Sequence, residues 1–417
     1  MKTIDGYDVK IFTDNIEDGA LEQIKTLISI DVFSDKKIRI MPDVHAGAGC
    51  VIGFTGNLGE KVIPNIVGVD IGCGMRILNL GKLGGIDYHA LHEHIRGNIP
   101  SGMIVREERF GFKPLVGEEM EIYREAKQLV TGLYCYRDLK DSARINKAIG
   151  TLGGGNHFIE LDKDDEGYVY LVIHTGSRNL GKQVADIYQA KAVRHMTPGA
   201  DEFERTIRQT IDEYKAAGRR SELQSVIKKM RREQEKAEPS LPAALCYVEG
   251  DARLQYLHDM RLCQRWAVLN RKLISLLLLR FFPGIEVLEE FESVHNYISD
   301  DNIIRKGAIS AASGERCIIP LNMRDGALIC TGKGNPDWNC SAPHGAGRVL
   351  SRSQAYEKIT MEDFETSMEG IYSESVTDST RDESPMVYKP AAEIIANIGD
   401  TVSIDTIIRP IFNFKAY

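Results

Sequence analysis

VGVDIGCGM, residues 67–75, holds a contradiction that the fold has to resolve. Val67, Val69 and Ile71 alternate as a buried strand does. Yet Asp70 sits inside that alternation, and Cys73 follows between two glycines. A buried carboxylate is costly unless it is paired or bound to a metal. Asp70 and Cys73 therefore call for a partner supplied by another part of the chain.

The chain is 417 residues long, which allows a large core and, as a soft prior from length, about two or three domains. Its 43% hydrophobic and 27% charged content is that of an ordinary globular protein. The best membrane candidate, Leu273 to Phe282, is short and contains Arg280. The first residues, MKTIDGYDVK, have no apolar signal core. Both features predict a soluble, cytoplasmic protein. The eight cysteines are irregularly spaced with no CxxC, which argues for reduced thiols and against a disulfide framework. A net charge of −8 does not favour nucleic acid as a partner, although a local basic groove would be enough to bind it.

Around the opening stretch, residues 1 to 80 hold strand-like runs separated by glycines: KIRIMPD, GCVIGFT, VIPNIVGVDI and MRILNL. Residues 87 to 148 are more helical and polar. GTLGGGNHFIELD then forms a Gly-rich turn into an apolar segment, and YVYLVIHTGSRNLG reads as a buried strand ending at His174 and a Gly-Ser-Arg loop. A helical pattern runs from Gly181 to Lys236. Within it, residues 201–238 are highly charged and end at Pro239 and Pro242, as an inserted helical arm would. Residues 252 to 282 are helical again, with CQRWAVLNRKLISLLLL as a core helix. Short strands and loops continue to about residue 350, followed by helices and a short strand near the C-terminus. With no repeat, low-complexity segment or convincing linker, the expectation is an α+β fold: one large catalytic domain spanning 1–417, with mixed sheets, flanking helices and the arm.

Five groups could partner one another: Asp70, Cys73, His157, His174 and His295. Taken singly, each has a structural explanation. A lone histidine is more often a hydrogen-bonded structural residue, and a lone cysteine a small core hydrophobe. Collected, their oxygen, sulfur and nitrogen donors suit a transition metal, with zinc the default by ligand type. Their spacing matches no zinc-finger pattern, so the residues alone leave both readings open. A second constellation is CSAPHGAGRVLSR, residues 340–352. There Gly345 and Gly347 would let a ligand approach His344 closely, Arg348 could hold a phosphate, and histidine can attack phosphorus. As a pattern it also fits a Gly-rich turn that happens to contain a histidine.

MPDVHAGAG (41–49), VGVDIGCGM (67–75), GTLGGGNHFIE (150–160), HTGSRNLG (174–181), VHN (294–296), RKGAIS (305–310) and HGAGRVLSR (344–352) occur in this order. Together they resemble the RtcB family of RNA ligases, from about residue 36 to the C-terminus and most weakly at 85–145 and 200–240. The resemblance implies joining of RNA 3′-phosphate or 2′,3′-cyclic phosphate ends to 5′-hydroxyl ends, in RNA repair or tRNA splicing. It implies two manganese ions, in place of zinc, held by Asp70, Cys73, His157, His174 and His295, with Cys73 bridging them. His344 would take GMP from GTP as a guanylyl-histidine. Asn156, Arg178, Asn296 and Arg348 would hold phosphates. Phe158, Glu160 and Tyr388 would form the guanine pocket, and Lys415 would contact the nucleotide. An archease-like activator would be a further partner. The alternative is a metal-dependent RNA-end phosphoesterase without ligation. Leu321-Asn322-Met323 stands where the family usually has Gly-Ser-Met, Asn179 stands where glycine is usual, and the tail runs past Lys415 to Ala416 and Tyr417. These departures suggest a divergent, bacterial-type paralogue.

Overall fold

Glycine-bounded runs rich in Val and Ile supply most strands of the computed structural model, which describes residues 1–107, 111–234 and 238–415. A six-stranded sheet has the order Lys2–Thr3, Val9–Ile11, Ile38–His45, Ile52–Asn57, Ile303–Lys306, Asn296–Ile298. One of its pairings, Val9–Ile11 with Ile38–Ile40, is parallel. A seven-stranded sheet has the order Arg316–Asn322, Gly326–Gly332, Val402–Lys415, Phe158–Lys163, Val169–Thr175, Gly74–Asn79, Glu289–Val294, and all its neighbours are antiparallel. With helices around both sheets, the fold is α+β.

The register of the larger sheet places the site. Because its strands alternate in direction, Gly74–Asn79 and Phe158–Lys163 begin at the edge where Val169–Thr175 and Glu289–Val294 end. Gly74 stands opposite both Thr175 and Val294, and His174 stands between Met75 and Phe158. Cys73, His157, His174 and His295 are thereby gathered at one edge. His295 is the one residue between Val294, which ends the larger sheet, and Asn296, which begins a strand of the smaller.

The 30-residue helix Gly250–Leu279 packs on strands Gly74–Asn79 and Val169–Thr175. It buries Trp266, Leu269, Leu273, Ile274 and Leu277. Asn270 and Arg271, in the same helix, are fully buried although polar. Helices Tyr88–Asn98, Glu118–Thr131 and Ser142–Lys147 fill the stretch read as helical at 87–148. The arm is a hairpin of helices Ala200–Ala216 and Arg220–Gln234 packed on each other. Residues 235–237 of the predicted 201–238 segment, and Ala416 and Tyr417, lie outside the described residues.

Two expectations are corrected. VGVDI is not a buried strand. Helix Pro64–Val67 ends there, Val69 is 46% exposed, and a turn closed by Cys73 N donating to Asp70 O at 3.1 Å precedes the strand, which starts at Gly74. The turn puts Asp70 and Cys73 side by side, which an extended strand could not do at a spacing of three. The last strand is also not short: Val402–Lys415 has 14 residues. Its register shifts, between the partners of Ile329/Cys330 and at Pro410/Phe412, break the period-two pattern that would have revealed its length. The eight cysteines are free thiols, and no helix of the described residues is long and apolar enough to cross a membrane.

Candidate active site

The turn at 70–73 is braced from three directions. Arg271 donates to Gly72 O and Thr175 O, both at 2.9 Å, and its other amino group meets Glu292 at 2.8 Å. Asn270 receives N–H bonds from Gly150 and Thr151 and donates to Thr151 O and Gly176 O. Asn296 donates to Asp70 O at 3.3 Å and accepts from Gly307 N at 3.0 Å. Gly176 is required here: a Cβ at that position would stand 2.3 Å from Asp70 Oδ1. The Asp70 carboxylate instead accepts from Ser177 N at 3.1 Å.

Donor atoms of Cys73, His174 and His295 lie within 4.8 Å of one another, and so do those of Asp70, Cys73 and His157. Cys73 belongs to both sets. Its Sγ is 3.6 Å from His157 Nε2 and 3.4 Å from His174 Nε2, and His157 Nε2 is 3.1 Å from Asp70 Oδ2. His157 Nδ1 donates to Leu152 O at 2.9 Å, and His174 Nδ1 to Asn156 O at 3.1 Å. Those bonds fix the tautomers and turn the Nε2 lone pairs inward, as metal-ligating histidines require. Burial, helped by the Asp70 charge, pushes the Cys73 thiol well above its ordinary range. Burial also drives His174 and His295 well below theirs, so both rings stay neutral. Burial opposes ionisation of Asp70, but the hydrogen bond and charge of His157 hold its carboxyl below the usual value. Neutral imidazoles, a carboxylate and a thiol that needs a cation to ionise form a donor set that fits divalent metal.

Beside this cluster, with ring centroids 4.9 Å from His295, stands His344. Its Nδ1 is 2.6 Å from Asp43 Oδ2, and the same oxygen accepts from His344 N at 3.1 Å. Asp43 is fully buried. The arrangement fixes the His344 tautomer with Nε2 as the lone-pair nitrogen, as in an Asp–His pair that presents a nucleophile or base. Gly347 must lack a side chain for it to form: a Cβ there would stand 2.3 Å from Asp43 O.

A cavity of about 240 Å³ opens from His174, His295 and His344. Asn156, Phe158 and Glu160 line one side, Arg348, Tyr388 and Lys415 another, and Pro320 to Met323 a third. Glu383 is the hub of the cationic side. It accepts from Tyr388 OH at 2.7 Å, Lys415 Nζ at 2.8 Å and Arg348 Nη1 at 3.3 Å. Burial would raise its pKa, but the Lys415 charge and these hydrogen bonds hold it down to about 2. Glu160 accepts from Asn413. Burial raises both Glu160 and its fully buried neighbour Asp162, and repulsion between the two keeps Asp162 protonated.

The family model described as tRNA-splicing ligase RtcB matches residues 23–416. The chain belongs to the RtcB family. The RNA-splicing ligase RtcB of Escherichia coli (strain K12) is 27% identical over 440 residues, covering 99% of this chain and 98% of that protein. The tRNA-splicing ligase RtcB of Aeropyrum pernix is 25% identical over 494 residues, covering 96% and 93%. The RNA-splicing ligase RtcB of Mycobacterium tuberculosis is 26% identical over 437 residues, covering 85% and 90%.

In this RtcB-family chain, Asp70, Cys73, His157, His174 and His295 come together although up to 225 positions separate them in sequence, from 70 to 295. Asn156, Phe158, Glu160, Arg348, Tyr388 and Lys415 line one cavity with His344. Two predicted phosphate contacts are placed differently. The Asn296 amide is committed to the backbone of the 70–73 turn. Arg178, at φ +58, turns its guanidinium to Thr151 Oγ1 at 3.3 Å and Gly102 O at 3.0 Å, behind Asp70 rather than in the cavity lining. Sequence reading missed Asp43, Glu383 and the Asn270–Arg271 pair. The two polar residues inside LNRKLISLLLL, and the aspartate inside an apolar strand run, were available signals. Glu383, in a loop, left none.

Glu383 gives a stability prediction. Its pKa falls from 4.5 to about 2 on folding, so its contribution is complete above pH 4.5 and is lost as pH falls toward 2. Glu383→Gln, by leaving buried Lys415 without its carboxylate, is expected to cost about 3 kcal/mol at pH 7. It should also flatten the acid limb of urea-unfolding stability against pH. Unchanged stability at both ends of that range would contradict the assignment.

Proposed function

We propose that this chain is a GTP-dependent RNA ligase. It joins RNA 3′-phosphate or 2′,3′-cyclic phosphate ends to 5′-hydroxyl ends through a guanylyl-histidine at His344, with two divalent ions, manganese by family resemblance, at the Cys73-centred cluster. The observation that carries the reading is His344 itself. It is an imidazole anchored on a buried aspartate, with its free nitrogen facing a cavity walled by donor groups on one side and by Arg348 and Lys415 on another.

The chemistry follows from that geometry. His344 Nε2 attacks the α-phosphorus of GTP, a P–N bond forms, and pyrophosphate leaves with the P–O electron pair. The charge that develops on the imidazole is balanced across Nδ1 by Asp43, so no proton has to leave. A terminal 3′-phosphate oxygen then displaces His344 from the GMP phosphorus, giving an RNA end capped by a diphosphate to guanosine. The 5′-hydroxyl displaces GMP from that end and seals the strand. A cyclic end is first hydrolysed to the 3′-phosphate. Arg348, Lys415 and backbone N–H groups hold the phosphates against their mutual repulsion. The ions, when bound, neutralise phosphoryl oxygens and stabilise in-line displacement. Phe158, Tyr388 and Glu160 supply a flat apolar face, a second aromatic ring and an acceptor suited to guanine.

The test is incubation with α-labelled GTP and manganese, then RNA bearing both end types. Covalent label followed by ligated product is expected. Metal-dependent trimming of RNA ends without label would favour the phosphoesterase reading. Running the assay with and without an archease-like activator tests that partner.

The arm supports an RNA contact in an otherwise acidic chain. Lys228, Lys229, Arg231 and Arg232 are exposed on helix Arg220–Gln234, and none of them is in an ion pair among the described residues. Arg219, by contrast, is paired with Glu222 at 2.6 Å. Replacing those four by glutamate is expected to weaken RNA binding and flatten the slope of log affinity against log salt by up to about four contacts. An unchanged slope would mean that this face is only solvated.

A further inference from the structure

Sealing by the proposed route needs one group that accepts a proton. Attack by His344 on GTP releases none, and neither does attack by a 3′-phosphate oxygen on the guanylyl group. The 5′-hydroxyl, however, must lose its proton as it attacks. From the geometry we infer that His45 is the general base for that step, an inference that rests on the ligase reading above. The O5′–P bond forms as the bond from phosphorus to GMP breaks. GMP leaves with the electron pair, and the O5′ proton passes to His45 Nε2.

His45 ends strand Ile38–His45 and lines the same cavity as His344. Its Nδ1 is 2.9 Å from the carbonyl oxygen of Asp43. A carbonyl can only accept, so Nδ1 carries the proton and Nε2 carries the lone pair. No hydrogen bond to Nε2 is present among the described residues. One residue thus sets both rings: Asp43 fixes His344 through its carboxylate and His45 through its main chain. The charged and titratable groups that face His45 are Asp43, His344 and Arg348. Burial holds its pKa below the ordinary histidine value in spite of Asp43, so the ring is neutral and basic near pH 7. Its side chain is half-buried, which leaves a route for the proton to solvent.

Competing bases in the cavity are committed elsewhere. Glu383 holds Lys415, Tyr388 and Arg348, and Glu160 holds Asn413. His157 and His174 turn Nε2 toward Cys73. His344, whose Nδ1 belongs to Asp43, is spent on the guanylyl group.

The test uses His45→Gln in the full chain with manganese and RNA that already carries a 3′-diphosphoguanosine end, under single-turnover conditions. Sealing to a 5′-hydroxyl strand is expected to fall about 10²- to 10³-fold, while label formation from α-labelled GTP changes far less and certifies the fold. With a strand ending in a 5′-thiol, which ionises near pH 8.5 without help, the deficit should shrink to about tenfold or less. Three results would each overturn the inference: sealing at the wild-type rate, label formation falling as far as sealing, or equal deficits for thiol and hydroxyl. A wild-type protein that neither labels nor seals the activated RNA would remove the ligase reading, and this inference with it.

Discussion

His344→Ala acquires no label from α-labelled GTP, whereas the wild-type chain acquires one that is lost in acid and kept in alkali. The acid lability follows from the bond. Protonation makes the imidazole of a P–N linkage a good leaving group, which a serine phosphoester lacks. The expected loss is down to background, about 10⁴-fold or more, because no other group in the cavity can replace a nucleophile. The 2.6 Å bond from Nδ1 to Asp43 is what keeps Nε2 unprotonated and aimed at the cavity. The variant should still seal RNA with a preformed 3′-diphosphoguanosine end, since that substrate has passed the step His344 performs. If His344→Ala labels like wild type, the phosphoesterase reading becomes the better one.

Cys73→Ala is expected to fail at both steps. Its sulfur belongs to the Asp70–His157 set and to the His174–His295 set, so its removal breaks both at once. Metal analysis of the purified variant should find manganese well below wild-type stoichiometry, and both labelling and sealing of activated RNA should fall about 10³-fold or more. The fold should persist. Cys73 is small, and its replacement leaves a cavity of about one sulfur at a cost near 1 kcal/mol, while Arg271 and Asn296 still hold the turn through its backbone. Undiminished manganese in a folded variant would contradict the site. Zinc in place of manganese should bind the thiolate and imidazole donors yet support less ligation.

Much of the donor set was legible because each member carries a local anomaly. Asp70 and Cys73 break an apolar run, His157 follows three glycines, and His174 ends a strand of buried residues. The residues that hold these donors were harder to find. Asp43 was visible inside MPDVHAGAG, but nothing local says that its carboxylate meets a ring 301 positions away. Glu383 sits between a 3₁₀ turn and a proline in a region without periodicity, so no pattern marks it. Val69 misled for the opposite reason. Its alternation with Val67 and Ile71 is a strand signal, but the 70–73 turn exposes it to solvent.

The sequence by itself determined the α+β class, the long core helix, the charged arm and the residue types of the site. All of these rest on short-range pattern: period 3.6, period 2, Gly and Pro boundaries, and a polar group out of place. Only the tertiary structure decided which donors share an edge, which nitrogen of each imidazole is free, and that Asn296 and Arg178 brace the turn rather than line the cavity. Those facts depend on strand register and on backbone carbonyls. A register shift of one residue would send His174 to the other face of its sheet, and a carbonyl such as Leu152 O or Asp43 O selects a tautomer whatever side chain its own residue carries. Neither leaves a trace in the one-dimensional pattern, because both are set by parts of the chain that meet only after folding.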